Sequence, residues 1–504
     1  MAIGGAVSVA AWAPLSCWPL ILIAYGGLLR SLSAARTPLQ AFALGLSFGI
    51  ALHLVGHGWL FGALHAKAGL APFPAFMATL AAAISLATPA AFGCFAWHLV
   101  CRPSGRVTIG SGQAAGAIPQ TVAFALLMTL AEWARSLPFN GFTSLSAGYG
   151  LIDTWLAGFA PTFGVYGVSL AGYLVSGLIA ASLHRDHANL KPHLILAALV
   201  LASGLGLSNL VWTYSVGTPL SFVLIQSGVA QQDKFQPDRT QRLVDMLVDQ
   251  IERMPADLVV TSETAIPTTF NTLAGHTLSR LERFGRNTGS HLFLGVATLA
   301  ANADGYNSLI HVARDSSVLS RYDKTRLMPF GEYAPIGFSW FTRALRIPFK
   351  DLSPGAKEQA PFVVNRHQIG TMICHEDLIG NDMRRWLPQV SLFLNPANLA
   401  WFDGSIAIAQ RLEIVRMRAK ESGRPILRVA NTGISAHIDA TGDVVTRLPE
   451  RGAGELKGVV QPFAGLTPFA RWGDWPVVLA SAAGVVVIGL RRRGLFRPAP
   501  GGSG

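Results

Sequence analysis

Apolar positions along this chain fall into two patterns. Up to about Val216 they form long stretches with little charge, and from about Leu220 to Pro462 they form short runs broken by polar residues. A hydrocarbon core about 30 Å thick needs roughly 20 apolar residues in a helix. On that basis the first pattern predicts spans at about 1–13, 16–29, 39–62, 74–100, 117–136, 160–183 and 193–213, with an eighth at about 474–490. The first two are short, because Pro14 and Pro19 interrupt the run and proline ends or kinks a helix. The start reads as a span rather than a cleaved leader, since it lacks a basic start and a small-residue cleavage site.

The second pattern predicts strands at Ser221–Gln226, Leu258–Thr261, Leu292–Val296, Ser308–Ala313, Gln368–Ile373, Leu392–Asn395, Ile426–Ala430 and Ala436–Asp439. Amphipathic helices are predicted at Asp238–Glu252, His276–Asn287 and Ile406–Ser422. Strands alternating with helices predict a layered α/β domain. The chain is therefore expected to hold a membrane bundle over 1–217, a soluble domain over 218–465, a last span with a basic flank over 466–494 and a disordered tail over 495–504.

Charge sharpens this picture. Only 13% of the 504 residues are charged, against about 25% in an average globular protein. The net charge of +12 does not point to nucleic acid, because no basic stripe is interleaved with aromatics. Arg30 with Arg36, Arg102 with Arg106, His184-Arg185 with Lys191, and Arg491-Arg492-Arg493 instead flank predicted spans. With eight spans all four clusters share one face, which the positive-inside rule makes cytoplasmic. Seven spans then put the soluble domain on the outer face. Two loops on that face, Ala66 to Phe76 and Leu137 to Gly150, are rich in apolar and glycine residues. Pro138-Phe139-Asn140-Gly141-Phe142 either lies among lipid headgroups or packs on the bundle, and Phe139 is a candidate substrate contact. Glu132 and Arg135, at a span end, read as an interfacial ion pair.

Of the four cysteines, Cys17, Cys94 and Cys101 lie in or beside apolar spans, and Cys374 alone lies in the soluble half. None forms a metal-type CxxC pair, so neither a disulfide framework nor a metal site is expected, and no cofactor site is visible. Cys374 ends the apolar run Ile369-Gly370-Thr371-Met372-Ile373 and precedes His375-Glu376-Asp377. A thiol becomes a nucleophile only as its thiolate, so it needs a base and a positive charge nearby. Two other segments carry such groups. Leu258-Val259-Val260-Thr261-Ser262-Glu263 delivers a carboxylate at a strand end, and Asp323-Lys324-Thr325-Arg326-Leu327-Met328-Pro329-Phe330-Gly331-Glu332 holds an ammonium and a second carboxylate. Active sites of α/β folds gather at strand ends. Glu263 is thus the candidate general base, Lys324 the candidate stabiliser of thiolate and oxyanion, and Cys374 the candidate nucleophile.

These segments resemble the Glu-Lys-Cys triad of the nitrilase superfamily, and the flanking spans narrow the resemblance to the apolipoprotein N-acyltransferase family. Further matches are Ile225-Gln226, Tyr306-Asn307-Ser308, Trp401-Phe402, Arg416-Met417-Arg418-Ala419, Asn431-Thr432-Gly433-Ile434-Ser435 and Gly465-Leu466-Thr467-Pro468-Phe469-Ala470-Arg471. The resemblance implies a nitrilase-like αββα sandwich inserted in a polytopic helical bundle of the bacterial inner membrane. It implies acyl transfer from a phospholipid, through a Cys374 thioester, to the α-amino group of a diacylated apolipoprotein. Glu332, Glu376 and His375 become supporting residues, and Asn398, Trp401, Phe402, Phe235 and Phe139 candidate substrate contacts. The chain departs from the family pattern at His375, often Tyr, at Leu399, often acidic, and at Phe235, often Trp.

Two other readings compete. A membrane-tethered amidase or nitrilase would use the same triad with water as second nucleophile. A transporter with an accessory domain would need ionisable residues along a path through the bundle, where the spans offer few beyond His53, His57 and Glu132.

Overall fold

The computed structural model describes residues 1–101, 114–138, 141–183, 190–234, 236–300, 305–313, 319–344 and 351–492. Arg102, Arg106, His184, Arg185, Arg493 and the tail 495–504 lie outside the described residues. The chain divides into two compact units. One comprises Met1–Gly58, Phe76–Leu210 and Trp472–Gly504, and the other Trp59–Ala75 and Val211–Arg471.

Among the described residues, six helices are long and apolar enough to cross a membrane: Pro38–Gly56, Pro72–Cys101, Ala117–Ala134, Trp155–Ser182, Lys191–Ser208 and Trp475–Arg492. Ala2–Ala11 and Pro19–Ala34 are apolar but shorter. These eight helices fall on the eight predicted stretches, six of them at spanning length. The stretch expected at 39–62 is interrupted after Gly56, where His57 leaves helical geometry and its Nε2 bonds Ser144 Oγ at 2.9 Å. The apolar segment that follows, Trp59–Ala75, belongs to the second unit.

Among the described residues, that second unit is built on two large sheets and one two-stranded sheet. The strands are β1 (Thr213–Ser215), β2 (Leu220–Gln226), β3 (Leu258–Thr261), β4 (Ile266–Thr269), β5 (His291–Leu299), β6 (Gly305–Val312) and β7 (Leu319–Asp323). They continue with β8 (Phe362–Val364), β9 (His367–Thr371), β10 (Leu392–Ala397), β11 (Ile426–Ala430), β12 (Ala436–Ile438), β13 (Val444–Arg447), β14 (Gly454–Val460) and β15 (Phe463–Gly465). One large sheet runs β14-β2-β3-β5-β6-β7 with β4 beside β5, and the other large sheet runs β13-β12-β11-β10-β9-β8. In each, three parallel strands form the centre, β2/β3/β5 and β9/β10/β11, and antiparallel strands complete the edges.

Side chains on a strand alternate between faces, and this alternation builds the layers. Phe222, Leu224, Leu258, Val260 and Phe293 join Ile369, Phe393 and Leu427 of the other sheet in one buried core. Their neighbours Val223, Ile225, Val259, Leu292 and Leu294 pack with Val244, Val248 and Ile251 of the helix Pro237–Glu252 and with Leu281 and Phe284 of Gly275–Thr288. Leu412 and Val415 of the helix Ala407–Ser422 join the core of the second sheet. The result is helix, sheet, sheet, helix. Several predicted boundaries move: the strand expected to reach Ile373 ends at Thr371, and the one expected over Ser308–Ala313 runs Gly305–Val312.

Candidate active site

Three strand ends deliver the predicted triad. After β3, Ser262 leads to Glu263, and Thr264 then takes a left-handed conformation, φ 47°. Gly295 on β5 makes this approach possible, because a Cβ there would lie 2.1 Å from the Ser262 carbonyl oxygen. Glu263 is buried and its acceptors are filled. Oε1 accepts from Lys324 Nζ at 2.9 Å and from Asn307 Nδ2 at 2.8 Å. Oε2 accepts from the backbone N–H of Asn398 at 2.8 Å, and the Cys374 thiol stands close enough that thiol and carboxylate shift each other's titration.

Lys324 follows β7 directly. Its own N–H donates to the Asn307 carbonyl at 2.8 Å, and its carbonyl accepts from Gly355 N at 2.8 Å, so the backbone is clamped on both sides. Nζ, buried, lies 2.9 Å from Glu263 and 2.9 Å from Glu332. Asn307 Nδ2 bridges the two carboxylates, reaching Glu332 Oε1 at 2.7 Å. Glu332 in turn accepts from the N–H of Met328 at 2.7 Å.

Cys374 opens a tight helical turn, Cys374–Leu378, three residues past the end of β9. Its φ is 48°, again left-handed. Such conformations in residues with side chains persist where surrounding contacts fix them. Glu376 supplies part of that fixation. Its Oε2 accepts from Ile373 N at 2.7 Å, and its Oε1 accepts from Thr325 N at 2.8 Å, Thr325 Oγ1 at 2.6 Å and Tyr322 Oη at 2.7 Å. One carboxylate therefore ties the cysteine turn to the loop carrying Lys324.

The electrostatics follow from burial and proximity. Burial alone would raise the Glu263 carboxyl, but the Lys324 charge and the hydrogen bonds from Lys324, Asn307 and Cys374 hold it below its ordinary value. Burial would lower Lys324, and Glu263 and Glu332 outweigh it, keeping the ammonium well above the usual lysine range. Burial pushes the Cys374 thiol up to about 12; Glu263 adds to the rise, and Lys324 and Arg411 oppose it. A thiol raised this far keeps its proton at neutral pH. The arrangement can pass that proton to Glu263 as sulfur attacks an electrophile, with Lys324 placed to face the negative charge that develops.

Of the supporting residues, Glu332 and Glu376 bond the triad's scaffold as described, and His375 is buried. Asn398 holds Glu263 through its backbone, and its Oδ1 accepts from Asn431 Nδ2 at 3.1 Å. Trp401 and Phe402 are half-buried on the turn Ala400–Phe402, where the Trp59 ring meets Phe402 edge-on at 4.5 Å. Phe139 and Phe235 lie outside the described residues. Among the described residues, no group of three or more His, Cys, Asp or Glu could hold a metal ion.

Two residues went unsingled by the sequence reading. Asn307 bridges both carboxylates from the middle of a strand where nothing marks it except a Tyr-Asn-Ser match. Lys234, buried, donates from Nζ to the Glu263 carbonyl at 3.2 Å, and burial lowers its ammonium to about 7.

Comparison with known proteins extends the picture over both units. Residues 4–178 match the family model for the apolipoprotein N-acyltransferase N-terminal domain, and residues 226–461 match that for carbon-nitrogen hydrolases. The chain is similar to an apolipoprotein N-acyltransferase of Ralstonia nicotianae, 34% identical over 96% of this chain and 91% of that one. It is 34% identical to one of Nitrosomonas europaea over 93% of this chain and 92% of that one. Among solved structures, Saccharomyces cerevisiae Nit3, a member of the nitrilase superfamily, aligns with a TM-score of 0.39 at 15% identity, covering 49% of this chain and 92% of that one.

Proposed function

Because the chain belongs to the apolipoprotein N-acyltransferase family, we propose that it moves an acyl chain from a phospholipid to the N-terminal amine of a diacylglyceryl-cysteine apolipoprotein, with Cys374 as the carrier. The observation that carries the assignment is the carboxylate between the other two groups: Glu263 accepts from Lys324 Nζ at 2.9 Å and is electrostatically coupled to the Cys374 thiol.

In the first half-reaction Cys374 Sγ attacks the lipid ester carbonyl while Glu263 takes the thiol proton. Lys324 faces the oxyanion of the tetrahedral intermediate. Collapse breaks the ester C–O bond, Glu263 returns the proton to the departing lysophospholipid oxygen, and a thioester remains. In the second half-reaction the neutral amine of the acceptor attacks the thioester and gives a proton to Glu263. The C–S bond breaks, and Glu263 reprotonates the sulfur. Splitting one transfer into two lets a single site serve donor and acceptor in turn. Glu332 and Glu376 hold Lys324 and the cysteine turn, His375 packs beside the nucleophile, and Asn398, Trp401, Phe402, Phe235 and Phe139 are substrate contacts.

The same reading takes 1–217 as the membrane bundle, 218–465 as the catalytic domain and 466–494 as the last span. All eight apolar helices then cross the bacterial inner membrane, and catalysis occurs on its outer face. Purified enzyme given phospholipid and a diacylated lipopeptide should yield N-acylated peptide by mass spectrometry. Release of free fatty acid without acylated peptide would replace the transferase reading with the amidase-type hydrolase.

A further inference from the structure

A network of buried charge that the reaction above does not use grips the cysteine turn. Arg411, on the helix Ala407–Ser422, donates from Nη2 to the Cys374 carbonyl at 2.9 Å. The same nitrogen forms an ion pair with Asp377 Oδ1 without hydrogen-bond alignment. Asp377 is fully buried, and its other oxygen accepts from Arg428 Nη1 at 3.1 Å. Arg428 also bonds Asn395 Oδ1, and Asn395 Nδ2 donates to the Met372 carbonyl at 2.8 Å. The backbone is thus held at Met372 and at Cys374, on either side of the residues that enter the left-handed turn.

The charges in this network do not cancel. Two guanidinium groups meet one carboxylate, which leaves one positive charge beside the nucleophile. Arg411 Nε and Arg428 Nη2 are buried without a hydrogen-bond partner, so the surplus is not spent on other acceptors. A cation next to a thiol favours the thiolate, and a buried cation acts more strongly than an exposed one.

We propose that Arg411, held by Asp377, is a positioning residue for Cys374: it locks the left-handed turn through the Cys374 carbonyl and places a second fixed positive charge, besides that of Lys324, beside the sulfur. The inference rests on reading Cys374 as the nucleophile. The groups whose charge bears on the sulfur are Glu263 from the end of β3, Lys324 after β7, Asp377 on the cysteine's own turn, Arg411 on the helix Ala407–Ser422 and Arg428 on β11. Lys324 and Arg411 draw the thiol down, and Glu263 and Asp377 push it up.

The test is alkylation of Cys374 by iodoacetamide in the full-length enzyme, followed by peptide mass across pH 7–10. A rise of one unit in the thiol pKa slows alkylation about tenfold at a fixed pH below it, and that is the change expected for Arg411→Met. Arg411→Lys should recover most of the rate. Arg411→Gln keeps a donor for the carbonyl but loses the charge, and it reads the same displacement should Arg411→Met not fold. A merely structural arginine would leave the rate–pH line of the folded variants where it is. Wild-type rates across the range in Arg411→Met or Arg411→Gln would overturn the proposal. Alkylation reports on the sulfur whether or not lipid reacts. A wild-type enzyme with the Arg411 dependence that never takes an acyl chain would sink the transferase reading and leave this one standing.

Discussion

The membrane bundle and the catalytic unit each bury a carboxylate beside a cation, and they use it differently. In the bundle Glu132 and Arg135 stand 3.9 Å apart. Glu132 Oε1 accepts from Ala147 N at 2.7 Å and from Tyr173 Oη at 2.6 Å. Arg135 donates to the Ser144 carbonyl and to Ser146 Oγ, each at 3.1 Å. Both charges are spent pinning residues 144–147. In the catalytic unit Glu263 and Lys324 are 2.9 Å apart, come from two strand ends, and share the carboxylate with a thiol. Burial of an ion pair is therefore no mark of chemistry. What separates the two pairs is a thiol, that of the proposed nucleophile Cys374, coupled to the carboxylate.

Removing that nucleophile should have the largest effect. Cys374→Ala is expected to abolish acylation of a lipopeptide while the protein still folds in detergent. Glu263→Gln and Lys324→Met should each cost about 100-fold or more; activity within tenfold of wild type in either would put the two ion pairs on the same footing. The bundle pair should behave in the opposite way. Arg135→Met, which strands Glu132, is expected to cost about 3–5 kcal/mol of stability, read as a lowered thermal midpoint. The rate of Cys374 alkylation per folded molecule should not change. A lower rate there with an unchanged midpoint would give the bundle pair a part in the chemistry.

Smaller effects probe the supports. Glu332→Gln keeps the shape but removes one of the two charges holding Lys324, and a lost charge-assisted bond of about 1.5–3 kcal/mol predicts a fall in kcat of roughly tenfold or more with little change in KM. The smallest concerns Lys234. Its folded pKa of about 7 lies below the unfolded lysine value of about 10.4, so between them the unfolded chain holds more protons. Stability should then rise with pH across about 7 to 10, by up to about 1.4 kcal/mol per unit, as the penalty of burying the ammonium is removed. Lys234→Met should flatten that rise, measured as the thermal midpoint at successive pH values. An unchanged slope would mean that the Lys234 ammonium keeps its proton in the fold across that range.

Much of this architecture was legible because burial writes itself into apolar runs. The central strands β2, β3, β10 and β11 are nearly uninterrupted hydrophobic stretches; the end of β3 located Glu263, and the end of the shorter apolar run that continues β9 located the cysteine segment. Edge strands left weaker traces. β7 reads Leu-Ser-Arg-Tyr-Asp, β13 alternates half-buried and exposed positions, and β14 buries only Leu456 and Val460, so neither periodicity nor composition separates them from loops. The segment Trp59–Ala75 reads partly as a span, since its apolar residues look the same whether they face lipid or a protein core. Long-range partners were the least visible. Arg411 meets Asp377 from another element, and Asn307 reaches Glu263 across 44 residues of chain, distances over which no local pattern persists.

The most direct measurement is the intact mass of the enzyme after incubation with phospholipid alone. The account predicts a hydroxylamine-sensitive acyl adduct on Cys374, absent from Cys374→Ala and strongly reduced in Glu263→Gln. An adduct of equal yield in Cys374→Ala, or none on the wild-type enzyme under conditions where it acylates a lipopeptide, would contradict it.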